Sequence, residues 1–248
     1  MKVEWEVTLK CNYSCFYCTN LDQSLNTVTD KSQLKKFIKS LGEKYPNVEI
    51  FVFGGEPFLH PNIDYIIECF NEFNIPFVIQ TNFSKKSVAV IKRIKQPFKV
   101  QVSIHPSEVK IEHLPFLFET NVEIRVIDVM YSSRQAIKYY FKVKELAKNV
   151  QHIFLTPVAD FGDGFSQKLL EDYNKLRYNP NYNKFIDFEQ VKHWNKYRSE
   201  LWENFNPKGK PCIYNGEYFL YGPNLELYNC CYREKHNGIC NHEKCFLM

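Results

Sequence analysis

A chain of 248 residues with 44% hydrophobic content can bury a sizeable core, which excludes a disordered or fibrous protein. Its net charge of +4 is mild and its lysines are spread over several segments, which weighs against a nucleic-acid partner. The opening stretch MKVEWEVTL alternates charges where a signal core would be apolar, and no later run is long and apolar enough to span a membrane, so the chain reads as soluble and cytoplasmic.

From residue 3 to about residue 158, short β-branched and aromatic runs alternate with amphipathic helical patterns, the signature of βα units around a parallel sheet. Strands are predicted over 3–9, 48–53, 76–81, 98–104, 122–129 and 152–158. Between them, Leu34, Phe37, Ile38 and Leu41 follow a Thr29/Asp30 cap, and Ile63, Ile66, Ile67 and Phe70 repeat at helical spacing. The stretch KKSVAVIKRIK at 85–95 places Val88, Ile91 and Ile94 on one side and leaves its lysines as a solvated face. Ile137, Tyr140, Phe141 and Leu146 form a later helical stripe, whereas only a short EHLPFLF segment follows the fourth strand. Residues 165–204 read as helical, with Phe188, Val191, Trp194 and Leu201 near helical spacing. Past Pro207, YFLY and LELY look like the arms of a hairpin, and five of the nine cysteines fall in the last 37 residues.

Nine cysteines in a reducing compartment favour metal or redox chemistry over disulfides. Three of them, Cys11, Cys15 and Cys18, stand in LKCNYSCFYCTN directly after the first strand. Their thiolates are soft ligands that suit zinc or an iron–sulfur cluster. A structural zinc site closes with four ligands, and the next candidates, His60 and Cys69, lie beyond a full predicted helix. Cys69 itself sits beside the core-facing Ile66 and Phe70 and reads as packing. Three thiolates on one loop can instead cap three corners of a cubane and leave its fourth iron open.

The spacing Cys-x3-Cys-x-aromatic-Cys, with Tyr17 as the aromatic, resembles the signature loop of the radical S-adenosylmethionine (SAM) superfamily. In that family the open iron of a [4Fe–4S] cluster is chelated by SAM, and the reduced cluster cleaves SAM to a 5′-deoxyadenosyl radical. The stretch FVFGGEPFLHP at 51–61 is similar to the family's GGEP motif at the end of the second strand. The resemblance implies that Gly54, Gly55 and Pro57 let the backbone approach the methionine part of SAM, with Glu56 near its ammonium group. Thr81, Asn82, Ser103, Arg125 and Thr156 occupy strand or strand-end positions that in the family often touch SAM. The fourth strand departs from the family at SIHP, where His105 replaces a common aspartate and becomes a candidate substrate contact or proton acceptor, beside the reading as a solvated loop histidine.

The C-terminal cysteines resemble a twitch domain, the shortened SPASM module that carries a second, auxiliary [4Fe–4S] cluster. This implies Cys212, Cys230, Cys240 and Cys245 as ligands, with Cys231 as the alternative to Cys230, because adjacent strand residues face opposite ways. If Cys230 is the ligand, Cys231 is left as a possible hydrogen donor to a substrate radical. A zinc knuckle using His236 or His242 is the competing reading.

The whole then reads as an α/β protein: a partial (βα)6 TIM-like barrel over residues 1–160, a helical link over 161–205 and a small hairpin-bearing iron–sulfur module over 206–248. The function implied is an oxidoreductase that abstracts hydrogen from a small-molecule or peptide substrate. Its electrons would come from a flavodoxin- or ferredoxin-like reductant, and the auxiliary cluster points to net dehydrogenation or cross-linking. Epimerisation and ribosomal-peptide modification stay open, as does a zinc-stabilised nucleic-acid-binding module from a different class.

Overall fold

The computed structural model describes residues 1–15, 18, 26–104, 123–130, 145, 153–157, 208–209, 211, 216–228 and 239, with Ile104 and the strands at 123–130 and 153–157 described by backbone alone. All six expected strands form, each close to its expected bounds: β1 Lys2–Thr8, β2 Ile50–Gly54, β3 Phe77–Thr81, β4 Lys99–Ile104, β5 Glu123–Met130 and β6 Ile153–Pro157. They lie parallel and in chain order across one sheet, the arrangement expected of consecutive βα units.

Register explains the core. Trp5 pairs with Val52, Val52 with Ile79 and Ile79 with Val100, so one row of buried apolar side chains crosses four strands. Each side chain buried in this way contributes about 1.5–3 kcal/mol. Because side chains alternate, Glu4, Glu6 and Thr8 fall on the opposite face of β1, together with Phe51, Phe53, Gln80, Gln101 and Ser103 from its neighbours.

Helices cover the apolar face. In α1 (Lys31–Lys44), Asp30 accepts a hydrogen bond from the Gln33 N–H at 2.8 Å and caps the first turn, while Leu34, Ile38 and Leu41 are buried. The Trp5 ring meets Phe37 of α1 edge-on at 5.0 Å. α2 (Ile63–Glu72) buries Ile63, Ile66, Ile67 and Phe70, and Cys69 is buried among them as packing. It ends in a left-handed Asn74, with Ile75 N–H donating to the Phe70 carbonyl and Asn74 N–H to that of Asn71, which stops the helix sharply. α3 (Lys85–Ile91) is shorter than its pattern, but Val88 and Ile91 are buried and Ile94 packs against the core.

The C-terminal hairpin forms where expected, as β7 (Tyr218–Tyr221) and β8 (Leu227–Tyr228). Its docking was not visible in the sequence: β7 pairs in parallel with β1, from Lys2 opposite Tyr218 to Trp5 opposite Tyr221. The hairpin therefore extends the barrel sheet past β1. Tyr221 fixes it there, its hydroxyl lying 3.1 Å from that of Tyr45 at the end of α1 and its ring packing edge-on against Phe37. The stripe residues Ile137, Tyr140, Phe141 and Leu146, the helical pattern at 165–204 and the EHLPFLF segment lie outside the described residues. Among the described residues, no helix is long and apolar enough to cross a membrane.

Candidate cluster-binding site

The three-cysteine loop leaves β1 at the C-terminal end of the sheet, where parallel α/β folds gather their chemistry. Its root is clamped by the end of β2. Gly54 has φ 140°, and a Cβ there would lie 2.2 Å from the Thr8 carbonyl oxygen. A Cβ at Gly55 would lie 2.3 Å from the Lys10 oxygen and 2.5 Å from that of Leu9. The contact that excludes side chains at both glycines is thus with the cysteine loop itself. It is sealed by Gly55 N–H donating to Thr8 O at 2.8 Å and Glu56 N–H to Lys10 O at 2.7 Å.

Glu56 follows with no exposed surface. Its Oε1 accepts from the Thr81 hydroxyl at 2.8 Å and the Phe58 N–H at 3.2 Å, and its Oε2 from the Asn82 N–H at 2.8 Å. The Phe58 bond caps a single 3-10 turn, Pro57–Leu59, which the sequence reading did not foresee. Burial pushes the Glu56 carboxyl up to about 7, against the pull of these donors. Thr81, 1% exposed, faces Glu56, and its oxygen also accepts the Phe83 N–H.

Asn82 connects this buried carboxylate to the cysteines. Its Nδ2 donates to Cys11 Sγ at 3.6 Å and to Asn12 Oδ1 at 3.1 Å. The Tyr13 N–H reaches the same sulfur at 3.4 Å. Burial raises the Cys11 thiol above its ordinary value, and the Tyr13 and Asn82 donors pull the other way. Cys18 N–H donates to Cys15 O at 3.0 Å. Cys11, Cys15 and Cys18 all have some exposure, and none of them is in a disulfide.

The return limb of the loop is pinned separately. Thr8 and Thr27 hydroxyls lie 3.3 Å apart, the Asn62 amide donates to Thr29 O at 2.6 Å, and Val28 N–H donates to Pro223 O at 2.9 Å. His60, 2% exposed, accepts the Asn62 N–H at Nδ1 and therefore donates from Nε2 to Val28 O at 3.1 Å. Burial lowers its pKa, and with both nitrogens engaged it braces the loop and leaves no lone pair for a metal. None of these pins was legible in the sequence, because each joins residues that only folding brings together.

Among the remaining expected site residues, Ser103 accepts from Gln80 Nε2 at 3.0 Å on the face away from the helices. Backbone register sets Arg125 level with Gln101, and Thr156 opposite Val129 near the end of β6. Tyr17, His105, Cys212, Cys230, Cys231, Cys240 and Cys245 lie outside the described residues. A shallow depression beside Gly42, Tyr45, Asn47 and Phe73 is at the opposite end of the strands from the cysteines.

Among the described residues, no three His, Cys, Asp or Glu side chains converge as a single metal ion requires. A cubane is wider and takes one thiolate per iron. Three cysteines on one loop, one of them already receiving two N–H donors at its sulfur, fit that group.

A family model described as the radical SAM superfamily matches residues 5–145, more than half of the chain. The chain belongs to the radical SAM superfamily. Membership implies a [4Fe–4S] cluster and SAM. An uncharacterised protein of Methanocaldococcus jannaschii is 31% identical over 110 residues, covering 42% of this chain and 38% of that one. Among solved structures, Streptococcus suis SuiB bound to precursor peptide SuiA matches 99% of this chain and 63% of its own length, with TM-score 0.62 and 14% identity. A structure of anSMEcpe with bound AdoMet and a peptide matches 97% of this chain and 76% of its own, with TM-score 0.57 and 17% identity. At these identities the likeness shows the shared fold, a radical SAM partial barrel. The chain spans less than two thirds of the length of SuiB and of the Methanocaldococcus protein.

Proposed function

We propose that this radical SAM protein is an enzyme that holds a [4Fe–4S] cluster on Cys11, Cys15 and Cys18 and oxidises a peptide or small-molecule substrate. The observation that carries the reading is the mutual bracing of its two motifs. Gly54 and Gly55 lie against the root of the cysteine loop, and Glu56 and Asn82 link it to β3. With cluster and SAM bound, the pair supplies reductive SAM cleavage and hydrogen abstraction, chemistry that no side chain offers. The protein's own part is to fix the loop that carries the three thiols and present polar groups on the inner face of the sheet. Of those, Glu4, Glu6, Gln80, Gln101 and Ser103 lie among the described residues. Ser103, Arg125 and Thr156 remain the candidates for contacts to SAM, with Tyr17 on the loop, and His105, just past β4, remains the candidate substrate contact or proton acceptor.

A peptide is the favoured substrate, because two proteins of this fold, SuiB and anSMEcpe, have been solved with peptides bound. For the C-terminal cysteines the twitch reading is supported by an isolated antiparallel bridge between Pro211 and Ile239. These residues immediately precede Cys212 and Cys240, two of the four proposed ligands. A second cluster there supplies a one-electron acceptor, which makes net oxidation the expected outcome.

The test is anaerobic reconstitution with iron and sulfide, reduction with dithionite and assay for 5′-deoxyadenosine. Wild-type protein is expected to form it from SAM, and Cys15→Ala to lose that activity entirely. Equal activity in the variant would remove the loop from the mechanism.

A further inference from the structure

We infer that Asn82 is a positioning residue that holds the Cys11 sulfur and tunes the electron affinity of whatever that sulfur ligates, an inference that rests on the radical SAM reading above. The amide orientation is not arbitrary. Its Oδ1 accepts from the Ser84 N–H at 3.0 Å and from the Ser87 hydroxyl at 3.4 Å, so the oxygen end is occupied and the NH₂ end must face the loop. There it has two hydrogens and two acceptors, Cys11 Sγ and Asn12 Oδ1. The main-chain N–H of the same residue is held by Glu56 Oε2.

The turn that carries Asn82 is strained in its favour. Phe83, 1% exposed, has φ 53°, a left-handed conformation that a bulky L-residue rarely adopts. It is held there by the Thr81 hydroxyl at its N–H and by Ser84, whose side chain caps α3 through the Ser87 N–H. Such strain persists only where surrounding bonds over-determine it, and here its result is an amide delivered to a loop 71 residues away in sequence. N–H donors to a thiolate ligand stabilise the added negative charge of the reduced state, and hydrogen bonds to sulfur are among the terms that set cluster potentials. Asn82 therefore raises the midpoint potential of the cluster on its loop.

The experiment compares wild type, Asn82→Asp and Asn82→Ser in the reconstituted full-length chain. Both variants keep an oxygen for the Ser84 cap. Asp has no N–H, and the Ser hydroxyl is too short to reach the sulfur. Iron content, the EPR signal that responds to SAM and its midpoint potential in a redox titration are read together, with far-UV CD of the metal-free chain as the fold control. The expected result is a midpoint shifted to more negative potential in both variants; iron lost from this site with the fold unchanged would equally support the positioning role. An unchanged iron content and midpoint would overturn the inference, and so would unfolding of both variants, since the amide would then serve the fold and not the sulfur. A wild-type protein with no SAM-responsive signal would overturn the functional reading itself, which keeps the two failures apart.

Discussion

A carboxylate with no exposed surface needs donors, and Glu56 has the Thr81 hydroxyl and the Phe58 and Asn82 N–H groups. Burial still wins, moving its pKa from 4.5 to about 7. The folded chain thus keeps a proton that the unfolded chain releases between those values. Glu56 consequently contributes most to stability below about pH 4.5, and that contribution is lost as pH rises towards 7, by about 3 kcal/mol in all. In metal-free protein, the Tm of wild type is expected to fall relative to that of Glu56→Gln as pH rises from 4.5 to 7.5. A gap that stays constant across this range would place the carboxyl at its ordinary value. The sequence marked Glu56 as a candidate site residue but could not show that its oxygens face Thr81, Phe58 and Asn82, because those partners come from a 3-10 turn and the end of a strand brought together only by folding.

At the scale of elements, the junction between β2 and the cysteine loop decides whether the loop has a fixed root. Gly55→Ala puts a methyl group into backbone carbonyl oxygens that no rotamer change can move. It is expected to cost about 1–3 kcal/mol and, by displacing Leu9 and Lys10, to lower iron binding after reconstitution. Gly216→Ala is the control: φ is 80°, but nothing lies within 4 Å of the added carbon, so only backbone strain of about 1–2 kcal/mol applies and iron is retained. Equal iron in the two variants would show that the close approach at Gly55 does not position the loop. The strands were readable because β-branched and aromatic runs alternate with helical stripes, and the GGEP stretch through its resemblance to a family motif one βα unit after the cysteine loop, since alone it could be a plain turn. The 3-10 turn and the left-handed Phe83 were not, since each is imposed by contacts distant in sequence.

For the whole molecule, the informative fact is that β7 lies beside β1 and that the turn after it holds the loop through Pro223 and Val28. The hairpin turn is thereby tied to the same end of the sheet as Cys11, Cys15 and Cys18. If Cys212 ligates a separate cluster, Cys212→Ala should lose about half of the iron while SAM cleavage continues. Unchanged iron would dismiss the second cluster, and loss of SAM cleavage with the iron would mean that the two ends of the chain are coupled through the hairpin.

The sequence by itself determined the six parallel strands, the faces of α1 and α2 and the two motifs proposed to carry the chemistry. Hydrophobic period, caps and ligand spacing are local properties of neighbouring residues. Only the tertiary structure decided that the hairpin would extend the sheet along β1, that His60 would brace the loop as a neutral imidazole and that Asn82 would turn its amide to Cys11. Those outcomes depend on parallel pairing and buried hydrogen bonds between residues far apart in the chain, and such partners are chosen by packing and desolvation once the core has formed.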